Sequence, residues 1–269
     1  MTNLELARHH GLVVNSLIDD GRWHRVATTD KPNSSNGAYS VKNGCITVQN
    51  WATDTDAHFY KENAVASDSV QDRAINKQIY EDKLLLQAKA ANKAGWILSN
   101  CELLPHDYLA RKGFEKEVGN VHDGKLIIPM RINGDLVGVQ TIDAGGVKKF
   151  LYGQRCKGAV HIIGNNGMNV LCEGYATALS THKALMLAAI PCKVYVCFSA
   201  NNMVEIAKTL KLGLVIADND ASLTGEKAAQ AIGWPYWVSP NIRQDLNDYT
   251  MNNSYFRISQ ELKKLLNTC

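Results

Sequence analysis

The sequence predicts an α/β fold, a parallel sheet with helices on both faces, preceded by a mostly antiparallel α+β region. Two observations carry this. From Met168 onward, continuous apolar strands alternate with short helices, the pattern of a sheet covered on both sides. Between residues 125 and 151, apolar runs are separated by tight glycine turns, the pattern of antiparallel strands. The first pattern is organised around the stretch from Val170 to Thr177, an apolar strand that ends in Glu173 and Gly174 before a helical run. Gly174 is expected to let the chain turn without a side-chain clash. Glu173 then stands at the carboxyl end of a strand, where open α/β sheets place their chemistry. The pattern recurs where Gly213–Ala217 runs into Asp218-Asn219-Asp220. Carboxylates at alternate positions can point the same way. Glu173, Asp218 and Asp220 are hard oxygen ligands suited to Mg²⁺.

The 269 residues are enough for one large domain or two ordinary ones. A hydrophobic fraction of 45% with 20% charged residues is that of a soluble globular chain. The net charge of +3 permits nucleic-acid binding without arguing for it. No apolar run approaches membrane-spanning length, and the start Met-Thr-Asn-Leu-Glu-Leu lacks the basic-then-apolar order of a secretory signal. A cytoplasmic location and no membrane partner are therefore expected. Seven scattered cysteines without a close C-x-x-C pair argue against a disulfide framework and a structural zinc site, and for reduced, mostly buried thiols.

In chain order, residues 1–20 give a short helical start. Residues 21–60 read as a small antiparallel sheet, with Asn43-Gly44 as a tight hairpin turn. From about Ser69 to Ser99 a charged segment has apolar residues at helical spacing, and Gly95 leaves its end open. Residues 101–122 read as a connector with a short helix from His106 to Lys112. Strands follow at 126–132 and 136–142, joined by Asn133-Gly134-Asp135, and at 147–151 after Gly145-Gly146. The parallel strands are expected at 169–172, 194–198, 214–217 and 236–238, and the helices at 176–189, 203–211 and 226–232. An amphipathic helix from Tyr255 to Leu266 closes the chain. The domains expected are 1–122, a core of 123–252 with an antiparallel part (123–167) and an α/β unit (168–252), and a terminal helix over 253–269.

Glu173-Gly174 after one strand and Asp218-x-Asp220 after another resemble the Toprim domain, shared by bacterial replicative (DnaG-type) primases, topoisomerases and some nucleases. Two further segments are similar to primases: Gly124-Lys125-Leu126-Ile127-Ile128-Pro129-Met130-Arg131, and Lys148-Lys149-Phe150-Leu151 followed by Arg155-Cys156-Lys157-Gly158. Asp20-Gly21-Arg22-Trp23-His24-Arg25 and Tyr108-Leu109-Ala110-Arg111-Lys112-Gly113 resemble segments of phage- and plasmid-encoded Toprim primases. The resemblance implies a Rossmann-like Toprim unit and a DNA primase of a mobile element, making short RNA primers from NTPs on single-stranded DNA in a bacterial cytoplasm. It implies Mg²⁺ or Mn²⁺ held by Glu173, Asp218, Asp220, Asp245 and Asp248, with Glu173, Asp218 and Asp220 catalytic. It implies NTP binding by Lys149, Lys157, Arg155 and Arg131, nucleic-acid contacts by Arg111 and Lys112, and a separate replicative helicase as a partner. Three features depart from the replicative pattern: Thr177 stands where a second acid is usual, Asn247 is inserted in the later acidic pair, and neither a zinc-binding module nor a P-loop is seen. The alternatives are a metal-dependent Toprim nuclease or antidefence protein, and a non-catalytic module that binds single-stranded DNA.

Overall fold

The computed structural model describes residues 1–54, 57–61, 70–221 and 223–267, with only the backbone described for 70–76. The chain divides into two compact units, Met1–Lys83 and Leu84–Cys269.

The first unit opens with helix α1 (Asn3–His9), which starts on a reciprocal capping box. The Thr2 hydroxyl accepts from the Glu5 N–H at 3.3 Å, and the Glu5 carboxylate accepts from the Thr2 N–H at 2.7 Å. Four strands follow: β1 (His24–Val26), β2 (Gly37–Lys42), β3 (Cys45–Asn50) and β4 (His58–Lys61). They form an antiparallel sheet in the order β1-β2-β3-β4, as the small sheet expected over 21–60 requires. Asn43 and Gly44 both have positive φ and close the β2–β3 hairpin, pairing Lys42 with Cys45. Alternate residues of β2 and β3 (Tyr39, Val41, Ile46, Val48) are buried with Ala7 and Leu12 in the core of this unit.

Helix α2 (Val70–Ser99) passes through Gly95 without ending there. A Cβ at Gly95 would meet nothing within 4 Å, so the glycine faces open space and breaks nothing. Towards its end, Ala94 and Ile97 pack on Ile127 and Val139 of the second unit's antiparallel sheet.

That sheet contains β5 (Glu102–Leu104), β6 (Gly119–His122), β7 (Lys125–Ile132), β8 (Asp135–Ile142) and β9 (Lys148–Phe150), in that order, with α3 (Asp107–Arg111) between β5 and β6. Residues 101–122, expected as a connector around a short helix, therefore also supply two sheet strands. Their apolar pattern is weak because β5 is exposed at all three positions and β6 is half-buried at three of its four.

The remaining elements are β10 (His161–Ile163), β11 (Met168–Cys172), α4 (Tyr175–Leu187), β12 (Cys192–Val196), α5 (Ala200–Ala207), β13 (Gly213–Ala217), α6 (Thr224–Ile232), β14 (Tyr236–Val238), α7 (Leu246–Asn252) and α8 (Tyr255–Asn267). The second sheet has the order β10-β12-β11-β13-β14. Its last four strands are parallel, as expected from Met168 onward, but β10 adds an antiparallel edge, so the sheet is mixed. Mutual backbone hydrogen bonds of 2.9 Å between Arg131 and Val160 tie the end of β7 to the residue just before that edge. Residues 170 and 172 of β11 point to a face covered by α4, α7 and α8, with Ala184, Leu246 and Ile258 in its core. Leu171 points to the opposite face, covered by α5 and α6 through Met203, Ile206 and Ala229. This is a three-layer arrangement, and both faces of the parallel strands are dry.

The strand order fixes where a site can form. From β11 the chain crosses through α4 to β12 on one side, and from β13 it crosses through α6 to β14 on the other. Neighbouring strands whose connections diverge leave a crevice at their carboxyl ends. Glu173 is the residue after β11 and Asp218 the residue after β13.

Candidate active site at the switch point

Glu173 and Asp218 leave adjacent parallel strands, registered Cys172 beside Ile216, at the same edge of the sheet. The Glu173 carbonyl accepts from the Phe198 N–H at 2.9 Å. Its carboxylate accepts from the backbone N–H of Ala200, the first residue of α5. Burial first, then the charge of Asp220, raises the Glu173 carboxyl above the ordinary range, and the Lys148 ammonium opposes them.

Asp218 is pushed up to about 7, first by burial, then by Glu173 and Asp245, with Lys148 again opposing. Its Oδ1 is buried and has no hydrogen-bond partner among the described residues. A buried carboxylate oxygen left unpaired is costly, so such a position calls for an explanation. The loop after Asp218 is clamped from both sides. The Asn219 side chain donates to the Ser239 carbonyl at 2.8 Å, and the Asn219 carbonyl accepts from the Arg243 N–H at 2.6 Å. Gly225 in α6 packs directly on the Asp218 backbone, where a Cβ would lie 2.5 Å from the Asp218 carbonyl oxygen. Asp220 is exposed and accepts from the Thr224 N–H at 3.1 Å, at the start of α6.

A cleft opens beside these acids. Asp218, Asp245 and Asp248 line it on one side of the charge balance, and Arg111, Lys112 and Lys148 on the other. Gly174 and Thr177, at the start of α4, line it as well. Glu173 and Asp220 are not in its lining and act on it through their charge. Asp245 caps α7, accepting from the Asp248 N–H at 2.8 Å, and Asp248 pairs with the Lys112 ammonium at 2.8 Å. Asn247 between them is fully buried and ties α7 down, donating to the Lys112 carbonyl and to Ser180 Oγ, each at 2.9 Å. Arg111 donates to the Ala144 carbonyl. The Thr177 hydroxyl is buried and has no hydrogen-bond partner among the described residues.

Gly174 does not serve the purpose expected of it. Its φ is −103°, which any residue adopts, so no turn requires it. A Cβ there would lie 3.7 Å from the Lys148 ammonium and 3.5 Å from the Thr177 hydroxyl oxygen, ordinary contact distances, so the position places the Lys148 ammonium beside the head of α4 without requiring glycine.

The cations expected from the sequence are distributed otherwise. Lys149 is not in the lining of the cleft. It follows Lys148 on β9, and successive strand residues point to opposite faces. Phe150 meets Phe198 edge-on, with centroids 6.2 Å apart, which marks the face it shares with Lys148 as the one turned towards the site. That alternation was the available signal for Lys148, which sequence reading passed over. Lys157 pairs with Glu205 at 3.2 Å. Arg155 donates to the Lys157 carbonyl at 3.4 Å, and Arg131 to the Gly134 carbonyl at 2.9 Å. None of the three lines the cleft. Gly225 and Asn219 carried no recognisable signal, and Asn247 was visible only as an insertion, because their roles depend on packing between elements far apart in sequence.

The acids here are hard oxygen donors, and the buried Asp218 Oδ1 has no partner among the described residues, but no three of them bring their ligand atoms within 4.8 Å of one another.

No protein-family model matches the chain. Among solved structures it is similar to a chain from the bacteriophage T7 lagging-strand DNA polymerase interacting with primase domains of two gp4 subunits bound to an RNA/DNA hybrid and dTTP. The identity is 15% and the TM-score 0.42, over 62% of this chain and 91% of that chain.

Proposed function

We propose that the chain is a Toprim-type DNA primase of a mobile genetic element, a nucleotidyltransferase that makes short RNA primers on single-stranded DNA in a bacterial cytoplasm. The observation that carries this reading is the buried, unpartnered carboxylate oxygen of Asp218 at the switch point, beside Glu173 and Asp245 and opposite Lys148. The sequence order Glu173-Gly174, Asp218-x-Asp220, then Asp245 and Asp248 supports it. Mg²⁺ or Mn²⁺ would be held by Asp218 with Glu173, Asp220, Asp245 and Asp248. When bound, such ions would supply Lewis-acid activation of the attacking 3′-hydroxyl and charge stabilisation at the leaving pyrophosphate.

The chain's own groups do the rest. Lys148 and Arg111 line the cleft and would meet the charge of a triphosphate. Lys112 holds Asp248 by ion pairing and so sets the position of one acid. Glu173, its carboxyl raised above the ordinary range by burial and held by the first N–H of α5, is the candidate proton acceptor. NTPs and a single-stranded template are the partners this site fits, and the proposal includes a separate replicative helicase. Among the described residues no helix is long and apolar enough to cross a membrane.

The test is labelled NTP incubated with single-stranded DNA and Mg²⁺ or Mn²⁺. Oligoribonucleotides made by the parent and lost in Asp218→Asn are the expected result. Shortening of the DNA instead assigns the same acids to a nuclease. No product together with a gel shift assigns the chain to the non-catalytic DNA-binding class.

A further inference from the structure

Among the described residues, one set of three histidine, cysteine, aspartate or glutamate side chains has all its candidate ligand atoms within 4.8 Å of one another. It is His10, Asp54 and His58, in the first unit. His10 follows α1, Asp54 lies in the turn after β3, and His58 opens β4. The three come from the ends of separate elements and converge on one point.

The distances are those of ligands and not of a hydrogen-bonded network. His10 Nδ1 is 3.7 Å from Asp54 Oδ2, and His58 Nε2 is 3.7 Å from Asp54 Oδ1. Neither contact is a hydrogen bond at that length. Two ligands on a tetrahedral Zn²⁺, with bonds of about 2.0–2.1 Å, stand about 3.4 Å apart. A small inward movement of exposed His58 brings the set to that spacing. The two imidazoles lie side by side, with centroids 4.5 Å apart.

The surroundings orient each ligand. His10 Nε2 is 2.6 Å from the Tyr60 hydroxyl oxygen. An N–H at Nε2 donating to Tyr60 leaves the Nδ1 lone pair facing Asp54, the outer contact that metal-binding histidines use to fix their tautomer. Asp54 Oδ2 accepts from the Asn50 N–H at 2.8 Å, and Oδ1 accepts from the Thr53 hydroxyl at 2.9 Å. The Asn50 side chain also donates to the His10 carbonyl at 3.3 Å, so one residue braces two of the ligands.

We propose that His10 Nδ1, His58 Nε2 and the Asp54 carboxylate bind one Zn²⁺, with a fourth position open to water beside exposed His58. The mixed nitrogen and oxygen set suits a borderline cation and disfavours Mg²⁺, which takes oxygen ligands. The ion ties the end of α1 to the turn between β3 and β4. The site is independent of the switch-point acids and of the activity proposed for them.

The experiment uses the full chain, stripped with a chelator, kept reduced with a non-thiol reductant and titrated with Zn²⁺ against a chromophoric competitor. One tightly bound equivalent and a raised Tm are expected. His58→Ala, an exposed substitution that leaves the fold intact, weakens that equivalent by at least about 100-fold, more than the 10–100-fold typical of an outer-contact change, and Asp54→Asn does the same. Tyr60→Phe weakens it by about 10-fold, and Asp218→Asn leaves it unchanged. Absence of a bound equivalent, or one that keeps parental affinity in both His58→Ala and Asp54→Asn, overturns the proposal.

Discussion

Lys148 and Lys149 differ by one position and by which way they face. Lys148 opposes the rise in pKa of both Glu173 and Asp218 and lines the cleft, and Lys149 does not line it. Lys148→Ala is therefore expected to reduce primer synthesis by at least about tenfold, the worth of one charge-assisted contact, while Lys149→Ala and Lys157→Ala stay near the parent. Steady-state NTP incorporation checks this, with circular dichroism as the control for folding. His161 gives a second residue-scale prediction. Burial, aided by Arg131, pushes its pKa down to about 4, against a donated hydrogen bond to the Pro129 carbonyl. The folded state therefore resists a proton that the unfolded chain takes up near pH 6.5. The stability linked to His161 is fully present above that pH and is lost as pH falls through about 4. Urea unfolding from pH 7 to pH 4 is expected to lose about 2–3 kcal/mol through this group, and His161→Gln to flatten that part of the profile. The acids and Gly174 were readable as residues because their types and spacing are local. The role of Lys148 was less so, because it depends on Glu173 and Asp218, which lie far along the chain.

At the scale of elements, the site depends on how α6 and α7 are seated. Gly225→Ala places a methyl against the Asp218 backbone, so α6 or the Asp218 loop must move. The expected result is lower primer synthesis together with a lower Tm, read in the same preparation. Asn247→Ala removes both bonds that fasten α7 to Lys112 and Ser180, at a cost of about 1–3 kcal/mol. Chemical denaturation measures that cost. The asparagine inserted in the acidic pair is thus the fastener of the helix on which Asp245 and Asp248 sit. Apolar runs and strong helical periodicity were legible: the run at 236–238 lies in β14 (Tyr236–Val238), and α8 at Tyr255–Asn267 extends the expected helix by one residue. The short edges were not. β5, β6 and β10 have three, four and three residues, too few to show an alternation, and they exist because a neighbouring strand offers them hydrogen bonds. The Thr2 and Glu5 capping box was visible in the sequence and would have fixed the start of α1.

At the scale of the whole molecule, the parallel strands and their order place Glu173 and Asp218 at a single crevice, and the antiparallel sheet ahead of them contributes Lys148 to it. The alternation of strand and helix from Met168 made this architecture readable, because strands dry on both faces must be apolar throughout. The antiparallel edge β10 escaped notice because it obeys no such rule. Burial, and then the charges of Glu173 and Asp245, make ionised Asp218 costly until a cation joins it. A carboxyl whose folded pKa is raised contributes stability below its unfolded pKa and loses it as pH rises through about 7, so at pH 8 ionised Asp218 strains the metal-free protein. The most direct measurement is the Tm of the parent and of Asp218→Asn at pH 8, with and without Mg²⁺. Without Mg²⁺ the variant is expected to be more stable by about 1–3 kcal/mol, and Mg²⁺ to raise the Tm of the parent but not of the variant. A metal-free Asp218→Asn less stable than the parent, or an equal response of both proteins to Mg²⁺, would contradict the account.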